Sequence, residues 1–190
     1  RGSRTTCGAL PETPIDLAIP VNFSYGADGV QYLQHRENGT VSHRATGVPA
    51  VITERIYNID TGLETVELSF QYFNQWRRVV QPRSTVFNAR QIVKLTDYGL
   101  TTSSESSKYL VKYLEELVSS NLDKIPLRYA VSRLGWRDET GEFILPSDSG
   151  YRLDVSDGEG RSVVSGFSIA GQREDWVSLM RQARSMSTMS

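Results

Sequence analysis

The feature that most constrains the fold is a strict alternation of apolar and polar residues from Val66 to Tyr72. The apolar members are Val66, Leu68, Phe70 and Tyr72. Successive side chains of an extended strand point to opposite sides, so this pattern predicts a strand with one buried face. A short turn at Asn74-Gln75 leads into a second strand, Trp76–Val80, which Pro82 ends. The segment is therefore predicted to form an antiparallel hairpin.

Similar patterns precede this hairpin. Val30–Leu33 runs toward Asn38-Gly39, a dipeptide that strongly favours a tight hairpin turn, and a return strand follows through Val41. A third strand is predicted from Pro49 to Ile59, before the turn residues Asp60-Thr61-Gly62. The first half of the chain is thus predicted to be an antiparallel meander with short connections.

Helical spacing replaces alternation after Pro82. One helix is predicted from Ser84 to Tyr98, with Gly99 as its stop and a buried stripe at Val86, Ala89 and Val93. A capping box at 102–105 opens a second helix that ends near Asn121. The buried stripe predicted for this second helix is Leu110, Tyr113, Leu114, Leu117 and Val118.

The last third of the chain is predicted to contain a hairpin of 128–134 with 142–145, a polar loop, and a C-terminal helix from about Gln172. Strands followed by helices favour an α+β fold of antiparallel hairpins, two central helices and a C-terminal helix. We expect an irregular lead-in over 1–20, a single domain over 21–170, and a connecting helix over 171–190.

Composition excludes several classes of protein. The 190 residues carry a net charge of -1, and the single cysteine excludes a disulfide within the chain and a cysteine-rich zinc site. No apolar run is long enough to cross a membrane, so we expect a cytoplasmic protein. If the hairpin loop is Asn38-Gly39, His35 and His43 face opposite sides of the sheet and cannot share a metal, whereas a three-residue loop would place them opposite each other. No phosphate-loop motif is present either.

One span is locally basic despite the balanced charge. Between Glu67 and Asp97 there is no acidic residue, and the basic residues of this span are Arg77, Arg78, Arg83, Arg90 and Lys94. Trp76 and its aromatic neighbours Tyr72 and Phe73 could stack on bases. We interpret the span as a phosphate-contacting surface. The alternative is a solvated edge whose arginines pair with acids from elsewhere.

Geometry limits this hypothesis. Arg77 and Arg78 point to opposite faces of a strand, so at most one of them can join a given groove. Arg90 and Lys94 would lie one helical turn apart on a shared face. A secondary nucleic-acid site is considered at Arg133, Trp136 and Arg137, where the alternative is that Trp136 belongs to the core.

The chain resembles the bacterial family called domain of unknown function 927 over roughly residues 25–185. The matching segments are 61–68, Trp76-Arg77-Arg78-Val79-Val80, 82–85, 89–95, 107–110, Ser132-Arg133-Leu134-Gly135-Trp136 and 143–146. The order and spacing of these segments carry the resemblance, since none of them is diagnostic alone.

Members of this family are similar to primase-helicase proteins of phages, plasmids and other mobile elements, whose C-terminal half is a phosphate-loop ATPase. The resemblance implies that this chain is a non-catalytic N-terminal accessory domain, and ATP and Mg²⁺ are expected only in the ATPase domain. The implied partners are single-stranded or duplex DNA, that ATPase domain, and further copies of the chain. No membrane partner is expected.

Two alternatives stay open. The chain could be a protein-interaction or oligomer-positioning module that uses Trp176 and Met180 of the C-terminal helix. It could also be an enzyme such as a primase or nuclease, but metal-dependent enzymes of that kind need converging carboxylates. The acids of this chain lie mainly in predicted turns, which argues against catalysis.

Overall fold

A computed structural model describes residues 14–37, 39–136, 141, 143–144, 150–153, 174 and 176–178. In chain order its elements are β1 (Phe23–Gly26), β2 (Gly29–Arg36), β3 (Gly39–Thr46), β4 (Ala50–Asn58), β5 (Glu64–Tyr72), β6 (Gln75–Pro82), α1 (Arg83–Val86), a 3₁₀ helix (Ile92–Tyr98), α2 (Ser107–Ser120), β7 (Leu127–Val131), β8 (Gly135–Trp136), β9 (Phe143–Ile144) and β10 (Tyr151–Leu153). The fold is α+β, as predicted.

The described strands form three sheets. β1, β2 and β3 make one antiparallel sheet, and β8 pairs with β9 in a second. The third has the order β10-β7-β4-β5-β6, with β4–β5 and β5–β6 antiparallel and β4–β7 parallel. The meander predicted for the first half is therefore confirmed as two sets of antiparallel strands.

The hairpin predicted between 128–134 and 142–145 is only partly correct, because β9 lies within 142–145 but pairs with β8 and not with 128–134. β7 instead lies parallel to β4, and Ile59 N donates to Ala130 O over 2.9 Å. Pairing with an inner strand lets β7 satisfy its backbone groups and bury Ala130 and Val131, which a short local hairpin would leave accessible to solvent. The local hairpin that does form joins β8 to β9.

The core lies between the sheets and α2. The predicted stripe of α2 is buried throughout, and its Tyr113 Oη donates to Ala50 O over 3.1 Å. The stripe belongs to one apolar cluster with Phe23, Ile52 and Phe70. The helical period of the sequence therefore identified the packed face of α2 correctly.

The single helix predicted over Ser84–Tyr98 is wrong. One α-helical turn, α1, is followed by a turn at Asn88 and then by the 3₁₀ helix, which Gly99 ends as predicted. Asn88 Oδ1 accepts the Arg90 backbone N–H over 2.9 Å, a local bond that competes with helix continuation. As a result Ile92 and Leu95 are buried in place of the predicted Ala89 and Val93.

The N-cap of α2 is Ser106, four residues after Thr102, the N-cap that the predicted capping box implies. Ser103 Oγ accepts the Ser106 N–H over 3.3 Å, and Ser106 Oγ accepts the Ser103 N–H over 2.8 Å. These two bonds close the turn that precedes α2, whereas the Ser106 side chain at the N-cap forms no capping bond to the helix. The capping box predicted at 102–105 is therefore wrong. At the other end Asn121 follows the helix as predicted, and its side chain bonds both backbone groups of Ala18.

Contacts divide the chain into two units, residues 1–132 with 150–152, and residues 133–149 with 153–190. The first unit contains β1 to β7 and both α helices. The second contains β8 and β9, and residues 174 and 176–178 are helical, within the predicted C-terminal helix. Met180, which was predicted to lie on the C-terminal helix, is outside the described residues. None of the described helices is long and apolar enough to cross a membrane.

Candidate nucleic-acid interface

The predicted surface lies along β6, the edge strand of the five-stranded sheet, and along the segment that follows it. β6 pairs with β5 so that Arg77 lies opposite Phe70 and Arg78 lies opposite Ser69. Neighbouring residues of a strand face opposite sides, so the two arginines cannot share one face of the sheet. The register therefore agrees with the limit drawn from the alternation.

Arg83 is bound to a carboxylate. Its Nη1 lies 3.0 Å from Glu64 Oε1, and Arg55 Nε donates to the same oxygen over 2.9 Å. The hydrogen bond from Arg55 lowers the pKa of Glu64 below its usual value, and the charge of Arg83 acts in the same direction. The guanidinium of Arg83 also lies over the Phe87 ring at 4.6 Å. Arg83 is thus held within the protein by an acid and a ring.

Arg78 also lies near an acid, although less tightly. Its Nη1 is 3.9 Å from Glu67 Oε1, and that same oxygen accepts the hydroxyl of Thr53 over 2.7 Å. The Thr53 and Ser69 hydroxyls are 2.9 Å apart on this side of the sheet. Arg78 therefore belongs to a polar network on the side of β6 opposite Arg77.

Arg77 has a different environment. Its Nη1 donates to Tyr98 O over 2.8 Å, and its guanidinium lies 5.2 Å from the centroid of the Tyr72 ring. Both partners are uncharged, so the positive charge of Arg77 is oriented but not neutralised by either of them. The bond also ties the start of β6 to the end of the 3₁₀ helix.

Arg90 and Lys94 are exposed, and neither side chain forms an ion pair with any described residue. The break at Asn88 places Arg90 in a turn and Lys94 in the 3₁₀ helix, so the predicted spacing of one α-helical turn is wrong. Lys94 precedes Tyr98 by four residues, which at about 2.0 Å of rise per residue is about 8 Å along the helix axis. Lys94 is thus part of the 3₁₀ helix, and Arg77 of β6 hydrogen-bonds the C-terminal end of that same helix.

Trp76 is half-buried and packs against the apolar cluster of the core. Its indole Nε1 is buried and has no hydrogen-bond partner among the described residues. Only part of this ring is accessible to a ligand. In the structure this side chain mainly packs the start of β6 against the core.

The turn between β5 and β6 consists of Phe73 and Asn74, one residue earlier than predicted, and both have positive φ angles, 48° and 60°. Asparagine tolerates this left-handed region, whereas a bulky L-residue loses about 1–2 kcal/mol there. The Phe73 side chain is 85% exposed, and its ring meets the Tyr72 ring edge-on at 4.5 Å. The hairpin thus ends in an accessible aromatic ring.

The secondary sites are only partly within the described residues. Arg133 is exposed, and Trp136 is 67% exposed and packs edge-on against Phe143 at 5.2 Å. The alternative that Trp136 belongs to the core is therefore wrong. Trp176 is 63% exposed. Arg137 and Met180 lie outside the described residues.

Sequence reasoning missed an aromatic cluster beside α2. His43 stacks on Tyr109 at 4.7 Å, and Tyr109 stacks on Tyr32 at 5.4 Å. Lys112 Nζ donates to Tyr32 Oη over 3.1 Å, which raises the pKa of Lys112. The signal in the sequence was the helical spacing of Tyr109 and Lys112, but their partners come from β2 and β3, far away in the chain.

Near that cluster an open cleft of about 500 Å³ is bordered by Arg44, Ser103 and Ser106, among others. His43 also borders this cleft, whereas His35 bonds Thr40 at 2.9 Å. The register places His43 opposite Tyr32, three positions from His35, so the two rings face opposite sides as predicted for a two-residue loop. The predicted register is wrong, because Gly39 pairs with Arg36 instead of lying in the turn. Among the described residues there is no group of three or more His, Cys, Asp or Glu side chains that could hold a metal ion.

A family model described as "Domain of unknown function (DUF927)" matches residues 23–189. No curated protein matches. A solved structure titled "SCCmec type IV Cch - active helicase" is similar over 62% of this chain, with 16% sequence identity and a TM-score of 0.45. The similarity covers 20% of that helicase chain, so the present chain spans only a small part of its length.

Proposed function

The chain belongs to the DUF927 family, and from this premise we propose that it is a non-catalytic accessory domain of a mobile-element helicase that binds nucleic acid. The proposed contact surface is the acid-free span between Glu67 and Asp97. Within it, Arg77, Arg90 and Lys94 are the main phosphate contacts. Arg78 and Arg83 contribute less, because they already lie beside carboxylates.

The observation that carries the proposal is the difference in neutralisation among the basic residues of this span. Arg90 and Lys94 are exposed with no acidic partner among the described residues, and within that part of the chain Arg77 contacts a carbonyl and a ring but no acid. A cation that is oriented but not neutralised is available for a phosphate. Arginine offers a planar fork to phosphate oxygens, and lysine offers a mobile point charge.

The expected mode of binding follows from these contacts. Phosphate contacts fix the position of a nucleic acid but do not report its sequence. Each neutralised phosphate releases counterions, so the affinity should fall steeply as salt is added. We therefore propose weakly sequence-specific binding, with ATP and Mg²⁺ used by the ATPase domain of the parent protein and not by the residues described above.

A second candidate function is docking to another protein, and a different observation favours it. Trp136, Phe143 and Trp176 of the second unit are all exposed. Large aromatic side chains are enriched at the centres of protein interfaces. The occupant that this candidate commits to is the ATPase domain of the same parent protein.

Fluorescence anisotropy of the 190-residue chain with a labelled thymidine strand at low salt tests the proposal. We expect binding that the triple variant Arg77→Ala/Arg90→Ala/Lys94→Ala abolishes. Lys124→Ala is the matched control, since Lys124 is also exposed and forms no ion pair with a described residue. Absence of wild-type binding at low salt would contradict the proposal and leave docking as the better account.

A further inference from the structure

We propose that Phe73 is a stacking platform for an unpaired base, so that the preferred ligand is single-stranded. This inference rests on the proposed function, and it assigns one side chain at the tip of the β5–β6 hairpin to recognition of the base itself. Three observations lead to it: the backbone conformation of the turn, the exposure of the ring, and the charges around it.

The backbone of the turn is the first observation. Two-residue hairpin turns with positive φ at both positions strongly favour Asn, Asp and Gly. Asn74 meets this preference, but Phe73 does not, although its φ is 48°. A residue that opposes the local preference at an accessible tip indicates a role other than forming the turn.

The contacts that hold the Phe73 ring in place are the second observation. Phe73 contacts the Tyr72 ring edge-on, and Tyr72 in turn lies so close to Gly99 that a Cβ atom there would come within 2.4 Å of the ring. Arg77 lies over the same tyrosine. Tyr72 is thereby braced between the hairpin and the end of the 3₁₀ helix, and it supports Phe73 from one side while most of the Phe73 ring is accessible.

The surrounding charge is the third observation, and it selects the occupant. Arg77 lies four residues beyond Phe73 on β6, and Lys94 belongs to the helix whose end accepts the Arg77 hydrogen bond. An apolar protein surface would leave these cations without partners, whereas a nucleotide offers a base for the ring and a phosphate for the charge. Bases of a duplex are already stacked on one another, so an exposed platform favours a single strand.

The test is a cycle of two proteins and two ligands, read by fluorescence anisotropy at one salt concentration. The proteins are the full chain and its Phe73→Asn variant, and the ligands are a labelled thymidine strand and an abasic strand of equal length. Asn suits the left-handed turn, so the variant keeps the hairpin. Leu63→Asn is the control, because Leu63 is a 67% exposed apolar residue at the other end of β5.

Stacking predicts that Phe73→Asn binds the thymidine strand about tenfold more weakly and binds the abasic strand as well as the wild type does. Leu63→Asn should match the wild type with both strands. An equal effect of Phe73→Asn on both strands, or no effect on either, would overturn the inference while leaving the proposed function intact. Failure of the wild type to bind either strand would instead overturn the proposed function itself, and the inference with it.

Discussion

Arg77 and Arg83 lie at opposite ends of the same edge strand, and their surroundings are opposite in kind. Arg83 follows β6 and shares the Glu64 carboxylate with Arg55, whereas Arg77 lies near the start of β6 and bonds the Tyr98 carbonyl. The first arginine completes an internal ion pair, whereas the second contacts uncharged groups and forms no ion pair with a described residue. Arginine content alone therefore does not identify a ligand surface; the partner of each guanidinium does.

This comparison narrows the predicted surface. Of the residues in the acid-free span, Arg83 and Arg78 lie beside Glu64 and Glu67, which precede the span in sequence. The alternative drawn from the sequence, arginines paired with acids from elsewhere, holds for these two. The phosphate-contacting hypothesis is retained for Arg77, Arg90 and Lys94.

The largest effect is expected on stability, at the end of β6 where Arg83 pairs with Glu64. Glu64→Gln should lower the free energy of unfolding by about 2 kcal/mol, because charged hydrogen bonds to Arg55 and Arg83 are lost at a partly buried site. Lys94→Ala should change it by less than about 0.5 kcal/mol. Urea denaturation of both variants measures the difference. Equal stabilities of the two variants would contradict the claim that the Glu64 ion pairs, and not Lys94, stabilise the fold.

The next effect concerns DNA binding, where the unpaired cations should matter more than the paired Arg83. Arg90→Ala/Lys94→Ala should weaken single-stranded DNA binding about tenfold at moderate salt, since two phosphate contacts are removed. Arg83→Ala should weaken it by no more than about twofold. Fluorescence titrations of the two variants side by side would measure this. A larger loss with Arg83→Ala than with the double variant would show that the surface has been assigned to the wrong end.

A smaller effect is expected in the pH dependence of stability. Because the folded protein lowers the pKa of Glu64, this group stabilises the fold fully above its ordinary value of 4.5, and that contribution is lost as pH falls through the lowered value. The gap in stability between wild type and Glu64→Gln should therefore narrow as the solution is acidified. Thermal melts across the acid range test this, and a gap that widens would contradict it.

The smallest effect separates turn stability from binding. Phe73→Asn should raise the free energy of unfolding by about 1 kcal/mol, because the asparagine tolerates the left-handed φ that the phenylalanine resists. Leu63→Asn has no such strain to relieve and should be close to neutral. Urea denaturation measures both. A less stable Phe73→Asn variant would mean that the phenylalanine serves the fold and not a ligand.

Local patterns predicted the strands and α2 well, because alternation and helical period report directly on burial. Val66, Leu68 and Phe70 of β5 are buried as expected. Tyr72, predicted on the same face, is more exposed, since it lies where the strand leaves the core for the turn. Periodicity describes the middle of an element better than its ends.

The missed features depend on contacts that periodicity does not encode. The break at Asn88 comes from a side-chain bond to the Arg90 backbone. β7 pairs directly with β4, although β5, β6 and α2 lie between these two strands in the sequence. The pairing of Arg83 with Glu64 likewise depends on the β5–β6 register. These same contacts decide which cations lie beside an acid, so the basic span could be predicted from the sequence but not which of its residues are paired.

The most direct test of the account is a salt series of single-stranded DNA binding by the wild-type chain. If Arg77, Arg90 and Lys94 neutralise phosphates, the logarithm of the affinity should fall linearly with the logarithm of salt concentration, with a slope of about −2. Removing Arg90 and Lys94 together should bring that slope most of the way to zero. A wild-type affinity that is undetectable at low salt, or that does not change with salt, would contradict the central claim.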